Sequence, residues 1–372
     1  MRYLIGVFCA LALGVMPLAG CSDNGEPDLR MNEIQVLGTH NSYHIQPSDA
    51  ILDTLREFED AGLADPGTAD SLEYTALPLQ EQFDHGVRQI ELDVFADPEG
   101  GLYYSPWAAQ VVDEPYQHPE LLEPGLKVLH VQDLDFRTHC LTFKICLTTI
   151  KQWSDAHANH LPITVMVQAK EEREDILPTI PIPFGPDEVA SIDDEILSVL
   201  PRDQLITPDD VRGGNDTLED AVLNDGWLTL AEARGRFMFV FLNSGNSRDY
   251  YIEGHPSLAG RVMFTRSVRG EPEAAWFNVD NALNDGETIR ELVADGYMVR
   301  TRADEETIQA REDDYSLQEA AFASGGQFVS TDYVVPNPDF GTTYSAAVPG
   351  GYVARCNPIS APANCDSSQI RP

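Results

Sequence analysis

Val87-Arg88-Gln89-Ile90-Glu91-Leu92-Asp93-Val94-Phe95 decides how the chain is read. The run is β-rich, and its two acids are two residues apart, so on a strand both carboxylates point to the same side. Ionised carboxylates inside a sheet lose hydration and repel each other unless something positive lies between them. Outward from this run, further short β-rich segments follow at Ile34–Gly38, Lys127–His130, Ile163–Gln168, Phe237–Leu242, Val262–Thr265, Met298–Thr301 and Gln327–Thr331. Helical patterns lie between several of them. Thr142 to Ala158 puts Phe143, Cys146, Leu147, Ile150 and Trp153 on one face, and Thr288–Asp295 and Glu305–Ser324 also read as helix. Eight β-runs with mostly helical intervals predict an α/β chain, a distorted (β/α)8 TIM barrel. Proline-rich Leu177–Pro186 reads as a rim loop, and the Pro-, Gly- and Ser-rich end as an irregular tail stapled by the last cysteine pair.

Composition narrows the function. The 372 residues hold 24 Lys and Arg against 61 Asp and Glu, a formal net charge of -37. That excludes a nucleic-acid binder, which needs a basic face, and argues against broad electrostatic docking on anionic lipid. A site that handles an anion must therefore make its own local positive charge from arginine, histidine or a bound cation. With 42% hydrophobic residues the chain can build a large core.

The N-terminus reads as an export signal over residues 1–20. Met1-Arg2 is positive, Tyr3 to Leu18 is apolar, and Leu18-Ala19-Gly20-Cys21 has the form of a lipobox. Lipidated Cys21 would hold the protein to the cell envelope through a tether over 21–30, with the barrel at 31–335 and an extension at 336–372. Cys9 leaves with the signal. Cys140, Cys146, Cys356 and Cys365 remain, an even number in an oxidising compartment. The local pairs Cys140–Cys146 and Cys356–Cys365 are expected. A zinc site competes, but neither pair has C-x-x-C spacing.

Active sites of such barrels lie at the C-terminal strand ends. There the chain offers Gly38-Thr39-His40-Asn41-Ser42, then Glu91 and Asp93, then His130, then Gln168-Ala169-Lys170. Oxygen ligands from Asn41, Glu91 and Asp93 suit a hard cation such as Ca²⁺. The bland alternative is a rim salt bridge to arginines such as Arg88. Two histidines beside a cation site suit acid–base chemistry near neutrality. Asp133 and Asp135 read as loop-turn residues, with orientation of His130 as the alternative, and the remaining histidines, His44 among them, receive no role. No Gly-rich phosphate loop and no Gly-x-Ser-x-Gly elbow is present.

Gly38-Thr-His-Asn-Ser-Tyr43, Ile90-Glu-Leu-Asp-Val94 and Val128-Leu-His130 together resemble the X-region signature of phosphatidylinositol-specific phospholipases C, most closely the Ca²⁺-dependent phosphoinositide phospholipase C group. Leu205–Arg212, Gly226–Leu230 and Gly325–Tyr333 extend the likeness across roughly residues 31–335. The resemblance implies a Ca²⁺-dependent phosphodiesterase acting on a phospholipid; the Cys21 lipid is expected to hold it, as a monomer, at the membrane. His40 and His130 match its catalytic pair, with Glu91 a rival base. Asn41, Glu91 and Asp93 match its Ca²⁺ ligands, and Lys170 falls near a lysine that contacts the inositol ring. Calcium-independent relatives carry an arginine where the metal would sit. Gln168 stands where the family usually has glutamate; it keeps a carbonyl oxygen but removes a charge, and Glu171 or Glu172 offers compensation. Two other readings share the sequence. Ile-Glu-Leu-Asp-Val also occurs in glycerophosphodiester phosphodiesterases, although those begin with His-Arg-Gly, and Gln168 is compatible with an inactive binding protein.

Overall fold

A computed structural model describes residues 28–174 and 176–372. Cys21 and the expected export signal lie outside them. Eleven strands form one sheet: β1 Ile34–Thr39, β2 Gln89–Phe95, β3 Lys127–Val128, β4 Ile163–Ala169, β5 Leu205–Ile206, β6 Phe237–Phe241, β7 Phe264–Thr265, β8 Trp276–Asn278, β9 Met298–Arg302, β10 Phe328–Thr331 and β11 Ala354–Cys356. The parallel order runs β5-β6-β4-β2-β1-β10-β9-β8, and β7 pairs with β6. A single parallel bridge, Arg266 to Trp276, links the end of β7 to β8 and curls the sheet into a distorted barrel. Strands buried on both faces read as continuous apolar runs, and Phe237-Met-Phe-Val-Phe241 is wholly buried for that reason.

Three expectations change. Lys127–His130 is not a barrel stave. Only Lys127 and Val128 are extended, and they run antiparallel to Val94 and Phe95. A parallel return needs a crossover helix of sufficient length. The stretch 96–126 carries five prolines and forms only the short helices Trp107–Val111 and Pro119–Leu122, so the chain doubles back instead. Lys127 is fully buried and clamps that return, its ammonium donating to the carbonyls of Glu123 (2.7 Å) and Gly125 (2.9 Å) and pairing with Asp97 at 3.0 Å. The missing stave is the three-residue β8, too short to announce itself. The tail is also less irregular than expected: β11 pairs antiparallel with Ile34–Val36 of β1.

The other elements follow the pattern. Helix Phe143–Ala156 buries Phe143, Cys146, Leu147, Ile150 and Trp153, and Thr142 caps it by accepting from the Ile145 amide at 3.3 Å. The expected helix over Glu305–Ser324 is two, Ile308–Glu312 and Ser316–Ser324. Residues 177–185 are a loop, and a helix starts at Pro186, where its missing N–H costs nothing. The Cys140–Cys146 and Cys356–Cys365 disulfides are both formed.

Register then sets the interior of the barrel. Glu91 lies opposite Met166 and Asp93 opposite Gln168, so these side chains share the inner face with Gln89. Gly38 is required there by space: a Cβ would fall 1.9 Å from Gln89 Oε1. Among the described residues no helix is long and apolar enough to cross a membrane.

Candidate active site

His40 follows β1 directly. Its Nδ1 donates to Asp332 Oδ1 (3.0 Å) just past the end of β10, and Arg302 Nη2 holds Oδ2 of the same carboxylate at 2.9 Å. Asp332 is itself fixed by Asp304, whose Oδ1 accepts its amide at 2.9 Å. Asp304 also receives the hydroxyls of Thr331 and Tyr344, the latter from the C-terminal extension. Burial and the neighbouring Asp332 charge push Asp304 up to about 7. His40 is held well below the ordinary imidazole range by burial and by the positive Arg302 and Arg300. It is therefore neutral at physiological pH and able to accept a proton.

Next to it, Asn41 takes a φ of 41°, a left-handed turn that asparagine tolerates. Its amide nitrogen donates to Tyr74 Oη at 3.3 Å, leaving the carbonyl oxygen as a ligand atom. The Ser42 hydroxyl accepts the Glu91 amide at 2.8 Å and ties this turn to β2.

Glu91 and Asp93 are almost fully buried. Burial pushes Glu91 up to about 7, with Arg300 pulling down and Asp93 pushing further up. Arg300 Nη2 reaches Glu91 Oε2 at 3.3 Å, and its other nitrogen meets Asp280. Lys170 pairs with Asp93 Oδ2 at 3.3 Å. Burial works against that ammonium, but Asp93 and Glu172 outweigh it and hold its pKa above the usual value. Asp93 Oδ1 is buried with no hydrogen-bond partner. An orphaned carboxylate oxygen beside a second buried carboxylate and an amide carbonyl is a hard-oxygen donor set suited to Ca²⁺. Asn41, Glu91 and Asp93 fit such an ion, and Gln168 lies in register with Asp93 on the same face. Glu171 is turned away, accepting the Phe184 amide at 2.8 Å, and Glu172 accepts the amide of Glu171 at 3.1 Å.

His130 sits in the turn after β3, not on a strand. Its Nδ1 donates to Asp135 Oδ2 at 2.7 Å. Of the two loop aspartates, Asp135 thus orients His130. Asp133 builds the turn, at φ 68°, accepting from Trp107 and Thr179. Arg88 is not a partner of the acids; it donates to the carbonyls of Phe83 and Val87 and lies over Trp153.

The structure therefore gathers His40, Asn41, Glu91, Asp93, Gln168 and Lys170 at one end of the barrel, with His130 close enough for its charge to bear on His40. It adds residues that sequence reasoning passed over: Arg300, Arg302, Asp332 and His44. One signal for the arginines was present. Met298-Val-Arg-Thr-Arg302 repeats on β9 the two-residue spacing that singled out Glu91 and Asp93.

Among solved structures, a calcium-dependent phosphoinositol-specific phospholipase C from a Gram-negative bacterium, Pseudomonas sp, is similar at 17% identity and TM-score 0.53, covering 91% of this chain and 98% of that one. A Ca²⁺-dependent phosphatidylinositol-specific phospholipase C from Streptomyces antibioticus is similar at 17% identity and TM-score 0.52, covering 82% and 95%. Both share the fold. No curated protein matches the chain in sequence. The family model for Ca²⁺-dependent phosphoinositide phospholipase C matches residues 29–358. With nearly the whole described chain matched, and hard-oxygen donors and two carboxylate-bound histidines at the barrel mouth, the chain belongs to the Ca²⁺-dependent phosphoinositide phospholipase C family of enzymes.

Proposed function

We propose that the enzyme cleaves a phosphoinositide-type lipid by attack of the inositol 2-hydroxyl on phosphorus, forming a cyclic phosphate and releasing diacylglycerol. The observation that carries this reading is the pair of carboxylate-bound imidazoles, His40 on Asp332 and His130 on Asp135, flanking the buried Glu91–Asp93 pair.

His40 arrives neutral, with Nδ1 engaged and Nε2 left to take the proton of the 2-hydroxyl. His130, likewise fixed through Nδ1, delivers a proton to the leaving glycerol oxygen. Each such transfer is typically worth about 10²–10⁴-fold. Asn41, Glu91, Asp93 and Gln168 would hold Ca²⁺. When bound, the ion supplies positive charge for a phosphate oxygen and lowers the pKa of the 2-hydroxyl. Glu91 then serves as ligand rather than base. Arg300 and Arg302 add local cationic charge in a strongly acidic protein, and Lys170 contacts the headgroup, exchanging its bond to Asp93 for one to substrate.

The reading extends to placement. A lipid on Cys21 holds a monomeric enzyme at the cell envelope, since a chain of net charge -37 has no broad attraction to anionic lipid. Its support is the pattern of residues 1–21, and Cys21→Ser should release the protein from the membrane fraction.

The deciding experiment incubates phosphatidylinositol with the protein, with and without chelator, and reads cyclic inositol phosphate by phosphorus NMR. His40→Ala and His130→Ala should each abolish the product. Activity retained in either variant overturns that residue's role, and activity retained in chelator overturns the metal's.

A further inference from the structure

His44 lies in the loop after β1, four residues beyond His40, and is fully buried. Its backbone is fixed on both sides: the amide donates to the Asn41 carbonyl at 2.9 Å, and the carbonyl accepts from the Ala76 amide at 3.0 Å. Its ring stacks on Tyr74 with centroids 4.3 Å apart. Its entire polar output goes to one group. Nε2 donates to Asp135, 2.9 Å from Oδ1 and 2.8 Å from Oδ2. Nδ1 is buried and has no partner.

Asp135 is therefore shared. It is fully buried and receives His44 from the β1 loop and His130 from its own turn, the latter at 2.7 Å on Oδ2. The two rings stand edge to face with centroids 6.0 Å apart. A carboxylate held only by His130 could swing about its χ2 bond, because terminal carboxylate torsions are broad. A donor astride both oxygens fixes the carboxylate plane. It also supplies a second hydrogen bond to a buried anion that would otherwise be under-satisfied. His44 itself is too deeply enclosed to meet substrate. A buried imidazole with one unpaired nitrogen and its only side-chain hydrogen bond aimed at the catalytic carboxylate has a job that packing alone does not explain.

We propose that His44 is a positioning residue: by clamping Asp135 it sets the orientation and tautomer of His130, coupling the loop that carries His40 to the turn that carries His130. The inference rests on the reading of His130 as a proton-transfer group. Partners of this outer kind typically cost about 10- to 100-fold when removed.

The test compares full-length wild type with His44→Phe, which keeps the stack on Tyr74 but loses the donor, and His44→Gln, whose amide N–H can reach the same carboxylate. Kinetics on phosphatidylinositol in detergent micelles and the imidazole N–H resonances of ¹⁵N-histidine-labelled protein are read together. His44→Phe should lower kcat by about 10- to 100-fold with KM changed by less than about two-fold. It should shift or broaden the His130 Nδ1–H resonance and leave that of His40 in place. His44→Gln should restore most of both. If His44→Phe does not fold, His44→Asn, too short to reach Asp135, takes its place against His44→Gln with the same expectations. A folded His44→Phe or His44→Asn with wild-type kcat and an unmoved His130 resonance overturns the proposal. An active His130→Ala variant overturns the underlying reading instead, so the two failures are distinguishable.

Discussion

His40 Nδ1 lies 3.0 Å from Asp332 Oδ1, joining residues 292 positions apart in the chain. The bond keeps the proton on Nδ1 and leaves Nε2 bare. Asparagine at 332 could donate its amide to Nδ1 and hold the opposite tautomer. Asp332→Asn should therefore lower kcat by about 10²–10⁴-fold with little change in fold. Steady-state kinetics and a circular dichroism spectrum check it; full activity would show that Asp332 does not set the tautomer.

Calcium should stabilise as well as activate. An ion that binds only the folded state adds about 2.7 kcal/mol at a hundred times its Kd. Thermal unfolding with Ca²⁺ should rise accordingly. Asp93→Asn and Glu91→Gln should lose most of that rise, because each removes a buried charged donor. Mg²⁺, which demands a smaller octahedral cage, should give little. An unchanged calcium response in both variants would place the ion elsewhere.

His160 ties acid stability to the barrel's underside. Its Nε2 accepts the Ser154 hydroxyl at 2.7 Å and its Nδ1 donates to the Leu161 carbonyl at 2.6 Å. Burial and nearby Arg88 lower its pKa from 6.5 to about 4. Below pH 6.5 the unfolded chain takes up a proton that the folded one refuses, so stability falls as pH drops towards 4 and is whole above 6.5. The loss at the lower limit is about 3 kcal/mol. Urea titrations at pH 7 and pH 4.5 should show a drop that is smaller in His160→Gln, with the remainder coming from other low-titrating groups such as His40 and His139; an unchanged drop would clear His160 of the role.

The Cys356–Cys365 bridge spans 9 positions and anchors β11 against β1. Closing a loop of this size stabilises by about 2–3 kcal/mol. Replacing both cysteines with serine should lower global stability by that amount and speed amide exchange at Ile34–Val36. Unaltered exchange there would mean that β11 holds without its staple.

Much of this architecture was legible from short-range pattern. Short β-rich runs marked β1, β4, β6 and β9, and the spacing of the last four cysteines matched both bridges. His40, Glu91, Asp93 and Lys170 were legible because charged or polar residues in strand-end positions of apolar runs need a reason to be there. What escaped lies in long-range pairing. Arg300 meets Glu91 across 209 positions, and Asp332 meets His40 across 292. No local spacing encodes such partners. Asp135 was ranked first as turn chemistry and only second as a partner of His130, and His44 was passed over because a buried histidine in a loop has no periodic signature. Lys127–His130 was misread because a β-rich tetrapeptide does not carry its own direction; the proline-broken chain before it decided that it would turn back.

The pairing of β1 has a consequence in time. Among the described residues of the first half of the chain, β1 makes one ladder pair, Gly38 with Gln89 of β2. Four pairs come from β10 and three from β11, both far downstream of β1 in the chain. The segment leading into His40 is thus held mainly by strands made long after it. A site whose first histidine is held in this way is completed only once β10 and β11 have joined the sheet, so a chain still being made carries its chemistry in an inert form.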